Sequence, residues 1–501
     1  MTATIQSPYL EAPGAVWLRG NLHTHSSRSD GRASPQEMLD AYAKLGYDFL
    51  ALSDHDACAD YAGLDPRGLL LLPCAEVSAG GGHVLAAGCR EPIAPDPQRQ
   101  KVLDAVKAAG GLAVLSHPNW EENFNHYPIE ELVRLTGYAG VEIFNGVIHE
   151  LPGSALATDK WDRLLALGRP VWGFANDDAH SLAAVGRGWN VALARERTAE
   201  AALAALAAGS FYASSGVTIT GIAVEGPRLA LVAPDAEGIA VIGELGARLA
   251  WTEDRQLTFD VSACRSPFFR VECFGRAGRM AWTQPFRIGG PAAERRRQLL
   301  GETPILLAGR AARAVGLSGD LAAPAWAQAG STRRFMDSGT GAAPPVATEL
   351  QVLLAGGKLL FGLRCQEPHP ELMKLNVRAD GQPSTWTDDG VELFIAPDGR
   401  GARYFHVMAN AAGHVYTTER RAPAGTGHAP AAECRVGRDA RGWTLELAIP
   451  LAELSAQAAP GERWAFNAVR NRHAGPEAAA FIWSFTGGGN HCPERFGWLK
   501  F

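Results

Sequence analysis

The sequence predicts an α/β domain followed by two β-rich units. Three observations carry this. From residue 15 to about 210, short apolar runs alternate with helical periodicity, which implies a parallel sheet or barrel. Almost every predicted strand there is followed at its C-terminal end by His, Asp or Glu. Beyond residue 211 the helical periodicity stops, and short β-branched or aromatic runs separated by Gly, Pro and Asp replace it.

The first strand carries Val16, Trp17 and Leu18 and runs into Gly20–Gly31, GNLHTHSSRSDG. In a strand, positions i and i+2 point the same way. His23 and His25 therefore share a face and can grip one ion, with Asp30 arriving from the loop. The first helix is capped by Ser34, has Pro35 at its first position and Glu37 closing a capping box. Met38, Leu39, Tyr42 and Leu45 form its apolar stripe, and Gly46 ends it. The strand from Phe49 to Leu52 delivers Asp54 and His55. Leu69 to Leu72 leads to Glu76, and His83 opens the next strand. A helix from Lys101 to Ala109 precedes Leu112 to Leu115, which delivers Ser116-His117-Pro118. A helix from Ile129 to Leu135 precedes the strand ending in Glu142 and Asn145. A helix from Leu156 to Leu167 precedes Val171 to Phe174, which delivers Asp177, Asp178 and His180. A last helix spans Ala199 to Ala208.

Parallel α/β folds place their sites at the C-terminal ends of the strands, so these groups would converge. Each alone can be a helix cap or a satisfied neighbour. Asp54 can orient an imidazole instead of binding metal, and Glu142 and Asp177 are open in the same way. As a set, so many carboxylates and imidazoles at one sheet end are costly unless cations neutralise them. His126 and His149 fall in loops and read as surface residues.

Composition narrows the partners. Net charge is −6, with both signs well mixed, which disfavours nucleic acid as a partner. No apolar run approaches the ~18 residues needed to span a membrane, and the N-terminus lacks a secretory pattern. Eight scattered cysteines without a Cys-x-x-Cys favour a reducing cytoplasm. No Gly-x-Ser-x-Gly elbow or nucleotide loop competes with the metal reading. A homo-oligomer is left open.

HTHSSRSDG, SDHD, the Glu76 and His83 pair, SHP and DDAH resemble, in order, the four-part signature of the PHP (polymerase and histidinol phosphatase) family. The resemblance covers residues 16–215 and implies a distorted seven-stranded β/α barrel within a domain at 15–210, holding two or three divalent ions (Zn, Mn or Fe). By resemblance, His23, His25, Glu76 and Asp178 hold one ion. Glu76, His83 and His117 hold a second, and Asp30, His55 and His180 a third. The short spacing between Glu76 and His83 departs from many members. Clustered divalent ions lower the pKa of a bridging water and polarise the oxygen under attack, so hydrolysis is the expected chemistry, with Asp178, His180 and Arg187 in catalytic positions. Arg28, Asn145 and Arg187 stand beside the motifs as substrate-binding candidates, although Arg187 can equally pair with a nearby carboxylate. The expected substrate is a small or glycan-linked phosphate ester. A carboxyl ester or carbamate is the alternative, as is a non-catalytic barrel in a carbohydrate-binding protein.

Residues 211–290 read as a small β-sandwich and 291–345 as a linker. The small sandwich resembles the appendage of the carbaryl-hydrolase-like branch, whose members cleave esters or carbamates. Residues 346–501 read as a second β-sandwich, with clear alternation from Trp443 to Ile449. There W-x-D-D-x-V-E-L-F-I and W-x-L-E-L-A-I-P resemble family 9 carbohydrate-binding modules. Trp386, Trp483 and Trp498 are candidates for stacking on a sugar, with core packing as the alternative for each.

Overall fold

The computed structural model describes residues 3–399, 403–421, 425–454, 456–475 and 478–501. They divide into two compact units, Met1–Glu294 and Arg295–Phe501. No helix among the described residues is long and apolar enough to cross a membrane.

The first unit begins with strands β1 (Thr4–Gln6), β2 (Val16–Asn21), β3 (Phe49–Leu50), β4 (Leu70–Leu71), β5 (Glu76–Val77) and β6 (Val84–Ala87). It continues with β7 (Leu112–Leu115), β8 (Gly140–Asn145), β9 (Trp172–Asn176), β10 (Trp189–Ala194) and β11 (Phe211–Ser214). Helices α1 (Pro35–Lys44), α2 (Arg99–Ala108), α3 (Ile129–Arg134), α4 (Thr158–Ala166) and α5 (Ala199–Ala208) lie between them. The capping box on α1 is present, with Ser34 and Glu37 satisfying each other's backbone N–H.

Strands β2, β3 and β4 run parallel in one sheet, and β7, β8 and β9 run parallel in another. The sheets meet at two single parallel bridges, Thr24 to Ala179 and His55 to Glu76. Between them Leu18, Phe49, Leu85, Val114 and Phe174 form one apolar cluster, so the same burial that holds the sheets together also fixes their strand ends. The expectation of uniformly parallel strands is corrected in two places. β6 runs antiparallel to β5 and β7, and β10 antiparallel to β2. A parallel connection needs a long crossover, and only residues 78–83 join β5 to β6.

The strands of residues 211–290 fall into two layers. One is a three-stranded sheet of Gly221–Glu225, Arg228–Val232 and Gln256–Asp260. The other continues the β2 sheet, because β11 pairs with Met280–Thr283 and β1 with Phe286–Gly289. Leu229, Leu231, Ile239, Val241 and Phe269 fill the space between the layers.

The second unit is a sandwich of a nine-stranded and a six-stranded sheet. Trp443, Leu445, Leu447 and Ile449 point into its core, as the alternation predicts. The stretch read as a linker is built into this unit. Ile305–Leu307 pairs with Gly497–Lys500, and Gly309–Ala311 with Thr348–Ala355. Buried Glu446 accepts from the backbone N–H of Ser318 and Gly319 and from the Trp326 indole, at 2.5–2.6 Å.

Candidate metal centre

The site is built where the two sheets meet. Thr24 lies between His23 and His25, and Ala179 between Asp178 and His180, so one bridge sets both pairs in register. The other bridge sets His55 beside Glu76. Two of the site residues have left-handed backbone, His117 (φ 31°) and Asp178 (φ 51°). Such residues cost about 1–3 kcal/mol each and persist only where surrounding structure imposes them.

Glu76 is 1% exposed and stands among five imidazoles. Its Oε1 lies 3.1 Å from His23 Nε2, 3.1 Å from His83 Nδ1 and 3.2 Å from His117 Nε2. Its Oε2 lies 3.4 Å from His25 Nε2 and 3.1 Å from His55 Nδ1. Asp178 Oδ1 lies 3.2 Å from His23 Nε2 and 3.1 Å from His25 Nε2. Asp30 closes the outer edge, with Oδ2 3.5 Å from His55 Nε2 and 3.3 Å from His180 Nε2. All nine sequence-predicted ligands thus come together, in overlapping groups whose ligand atoms lie within 4.8 Å of one another.

The donor set fits divalent cations. His23 Nε2, His25 Nε2, His55 Nδ1, His117 Nδ1 and Asp178 Oδ1 are buried and have no hydrogen-bond partner among the described residues. Orphaned polar atoms of this kind are expensive, and here they belong to groups that prefer metals. Burial opposes a charge on His23, but Asp178, Glu76 and Glu142 outweigh it and hold the ring well above its ordinary 6.5. Burial likewise opposes the Asp178 carboxylate, yet His23 and His25 keep it below its usual range. Without cations His23 and His25 hold protons more readily than free rings, whereas burial holds His55 below 6.5. With cations those protons are displaced.

Glu142 does not join the ligands. It accepts from His23 Nδ1 (2.8 Å), the His117 backbone N–H (2.8 Å), Asn145 Nδ2 (2.8 Å) and Asn176 Nδ2 (2.7 Å). That fixes the His23 tautomer with Nε2 free to ligate. Asn145 also donates to Asp178 Oδ2 at 3.2 Å, so it braces the ligands. Among the described residues Asp54 has no hydrogen bond to an imidazole. It accepts from Ser26 and Ser29 and ties down the loop between His25 and Asp30. Asp177 accepts from Asn21, Tyr42 and three backbone N–H groups at Gly186–Gly188.

A cavity of about 180 Å³ opens onto the cluster, lined by Glu76, His83, His117 and Asp178 together with the larger side chains of Trp120, Val147, Ile148 and Leu151. Among the described residues no Lys or Arg lines it. Arg28 is exposed and reaches the Asp60 carbonyl. Arg187 donates to the Gly146 carbonyl (3.2 Å) and pairs with Glu150 (2.5 Å), bracing the segment that carries the apolar wall.

Two neighbours escaped the sequence reading. His126 is not a surface residue. Its ring packs 4.6 Å from that of His117, and its Nε2 accepts from the His83 N–H at 3.0 Å. Trp120 packs against His83, His117 and His126. Their loop is held by Lys160, whose buried ammonium donates to the carbonyls of Pro118, Phe124 and Tyr127 at 2.6–2.7 Å.

In the second unit Trp386 is 56% exposed on the turn Pro383–Thr387. Trp498 is half-buried beneath the Arg463 guanidinium, 4.6 Å away. Trp483 is excluded as a stacking platform, because it is 1% exposed and part of the core.

Residues 319–501 match the family described as Carbohydrate family 9 binding domain-like. The second unit thus contains a family 9-like carbohydrate-binding domain. No match was found among curated proteins. Among solved structures, the chain is similar to a two-domain protein of Bacteroides vulgatus containing a predicted PHP-like metal-dependent phosphoesterase (15% identity, 57% of this chain and 90% of that one, TM-score 0.35). It is also similar to a family 9 carbohydrate-binding module of Caldicellulosiruptor kristjanssonii in complex with glucose (16%, 39% and 95%, 0.29). A third likeness is to an amidohydrolase of Chromobacterium violaceum with bound sulfate and no metal (17%, 32% and 87%, 0.25). The functional reading therefore rests on the side chains, not on these likenesses.

Proposed function

We propose that the first unit is a metal-dependent hydrolase of the PHP type, a distorted β/α barrel acting on a small phosphate ester. One observation supports this most: nine imidazole and carboxylate groups from distant strand ends gather in overlapping clusters, and His23, His25, His55, His117 and Asp178 each keep a buried ring or carboxylate atom without a hydrogen-bond partner among the described residues. His23, His25, Glu76, Asp178, His83, His117, Asp30, His55 and His180 would hold two or three ions, and the mixed donor set suits Zn, Mn or Fe. Such ions activate water and stabilise charge developing on the ester. The chain's own residues supply order. Glu142 sets the His23 tautomer, Asn145 steadies Asp178, and His180 Nδ1–H donates to the Asp178 carbonyl at 2.9 Å. The ester's organic part would lie against Trp120, Ile148 and Leu151, which exclude water from the reacting face.

A second reading, carboxyl-ester or carbamate hydrolysis, is favoured by the cavity wall, which offers apolar surface and no cationic side chain to a phosphate. A screen of p-nitrophenyl phosphate, its diester and a naphthyl carbamate, with Mn or Zn, separates the two. We expect turnover of a phosphate ester. Turnover of the carbamate alone sinks the phosphoesterase reading.

For the second unit we infer glycan binding at Trp386, supported by its exposure and by the family match. W386A should abolish retention on an immobilised glucan that the intact chain binds.

A further inference from the structure

We infer that the second unit carries another ligand site, selective for a small oxyanion-bearing molecule, at the end of the sandwich where Thr348, Gln366 and Gly442 meet. A cavity of about 400 Å³ lies there, within the range of small-molecule sites. These three residues sit at adjoining ends of strands Thr348–Ala355, Lys358–Gln366 and Gly442–Pro450. The strands belong to the six-stranded sheet, whereas the Trp386 turn packs on strands of the nine-stranded sheet.

The charge around this cavity is unbalanced. Arg333, Arg364 and Arg441 line it, against Glu349 and Asp439. Arg333 pairs with Glu349 at 3.0 Å, Arg364 reaches Asp439 only at 3.8 Å, and Arg441 has no carboxylate partner among the described residues. A fourth guanidinium lies under the floor. Arg470 is fully buried and donates to the Ala347 carbonyl (3.1 Å), Thr348 Oγ1 (3.2 Å) and the Gln366 carbonyl (2.7 Å). Its nearest carboxylate, Glu367 at 3.4 Å, is already held at 2.8 Å by both Nε and Nη2 of Arg472. Arg470 thus shares Glu367 with Arg472, which Asp389 also faces, and it holds the backbone at the cavity floor in place.

Three arginines against two carboxylates around one cavity fit a ligand that brings acceptor oxygens with negative charge. Arginine forks match carboxylate and phosphate alike, so the shared chemistry is a compact oxyanion. A sugar acid and a sugar phosphate are its two sources.

Calorimetric titration of the full chain with glucuronate, glucose 6-phosphate and glucose tests this. At least one anion should bind, more weakly as salt rises, and the one that binds identifies the source. R364Q, at a half-buried position, and R441Q, at an exposed one, should each weaken it by about tenfold, the loss of one charge-assisted contact. Neither should change the melting temperature or glucose binding, and W386A should leave the anion affinity unchanged. Failure of both anions to bind, or affinities indifferent to R364Q and R441Q, overturns the inference. Loss of glucose binding alone bears on the Trp386 reading, not on this one.

Discussion

Glu142 shows how much of the centre's order lies one layer behind the ligands. It is 1% exposed and takes four hydrogen bonds, two of them from ligand residues. E142Q keeps the shape but turns one acceptor into a donor facing His23. Metal affinity should fall by about 10- to 100-fold, as for other partners of ligating histidines, read by competition with a chromogenic chelator. Unchanged affinity would remove Glu142 from the centre. Lys160 acts at greater range. Replacing it with Met takes a donor from three carbonyls, of which Pro118 keeps the Tyr127 N–H and Phe124 is exposed while that of Tyr127 stays buried, so K160M should lose about 2 kcal/mol in chemical denaturation and loosen the loop of Trp120 and His126. That pair was illegible in the sequence, because an irregular loop has no period to reveal which side chains turn inward.

The centre's titration gives a signed prediction. Glu76 and Asp178 are held below their ordinary 4.5 and 3.8, burial being outweighed chiefly by His23. His23 and His25 are held above 6.5, burial again being outweighed by the carboxylates. The acids stabilise the fold above their unfolded values and lose this as pH falls. The rings stabilise it below 6.5 and lose this as pH rises towards their folded values. Chelator-treated protein should therefore be most stable between about pH 4.5 and 6.5 and melt progressively lower above that. Metal-loaded protein should not decline there, because ions need unprotonated rings. Parallel melting curves for the two forms would contradict this.

Among the elements, the loop from His25 to Gly31 leaves no room beside the candidate ligands. A Cβ at Gly31 would stand 2.7 Å from the His25 backbone, which cannot yield without moving a ligand. G31A should cost about 1–3 kcal/mol, typical of forced overpacking, and should weaken the group of Asp30, His55 and His180 before the deeper one. The strand-end rule brought the nine candidate groups together because strand identity was readable from short apolar runs. Strand partners were not. The pairing of β11 with Met280–Thr283 joins residues far apart in sequence, and nothing local announces it. Ile305–Leu307 and Gly309–Ala311 were missed for a related reason, being too short to show alternation.

At the scale of the molecule, the division at Glu294 carries a consequence for dissection. Residues 15–210, the extent of the predicted hydrolase domain, omit the strands that continue the β2 sheet. That fragment exposes a long sheet edge and should aggregate, whereas residues 1–294 should fold and melt cooperatively. Equal solubility of the two would show that the shared sheet is dispensable. The second unit was legible as a sandwich because alternation from Trp443 to Ile449 is strict, and its true start was hidden because Glu446 captures Ser318 and Gly319 across more than a hundred residues.

The central claim is that the nine converging groups are ligands. Metal analysis of the purified chain, before and after EDTA and again after Mn or Zn is returned, tests it most directly. Two or three divalent ions per chain, lost with EDTA together with hydrolysis and restored on reloading, is the expected result. A chain that retains less than one ion under every condition, and hydrolyses its substrate equally well in EDTA, would contradict it.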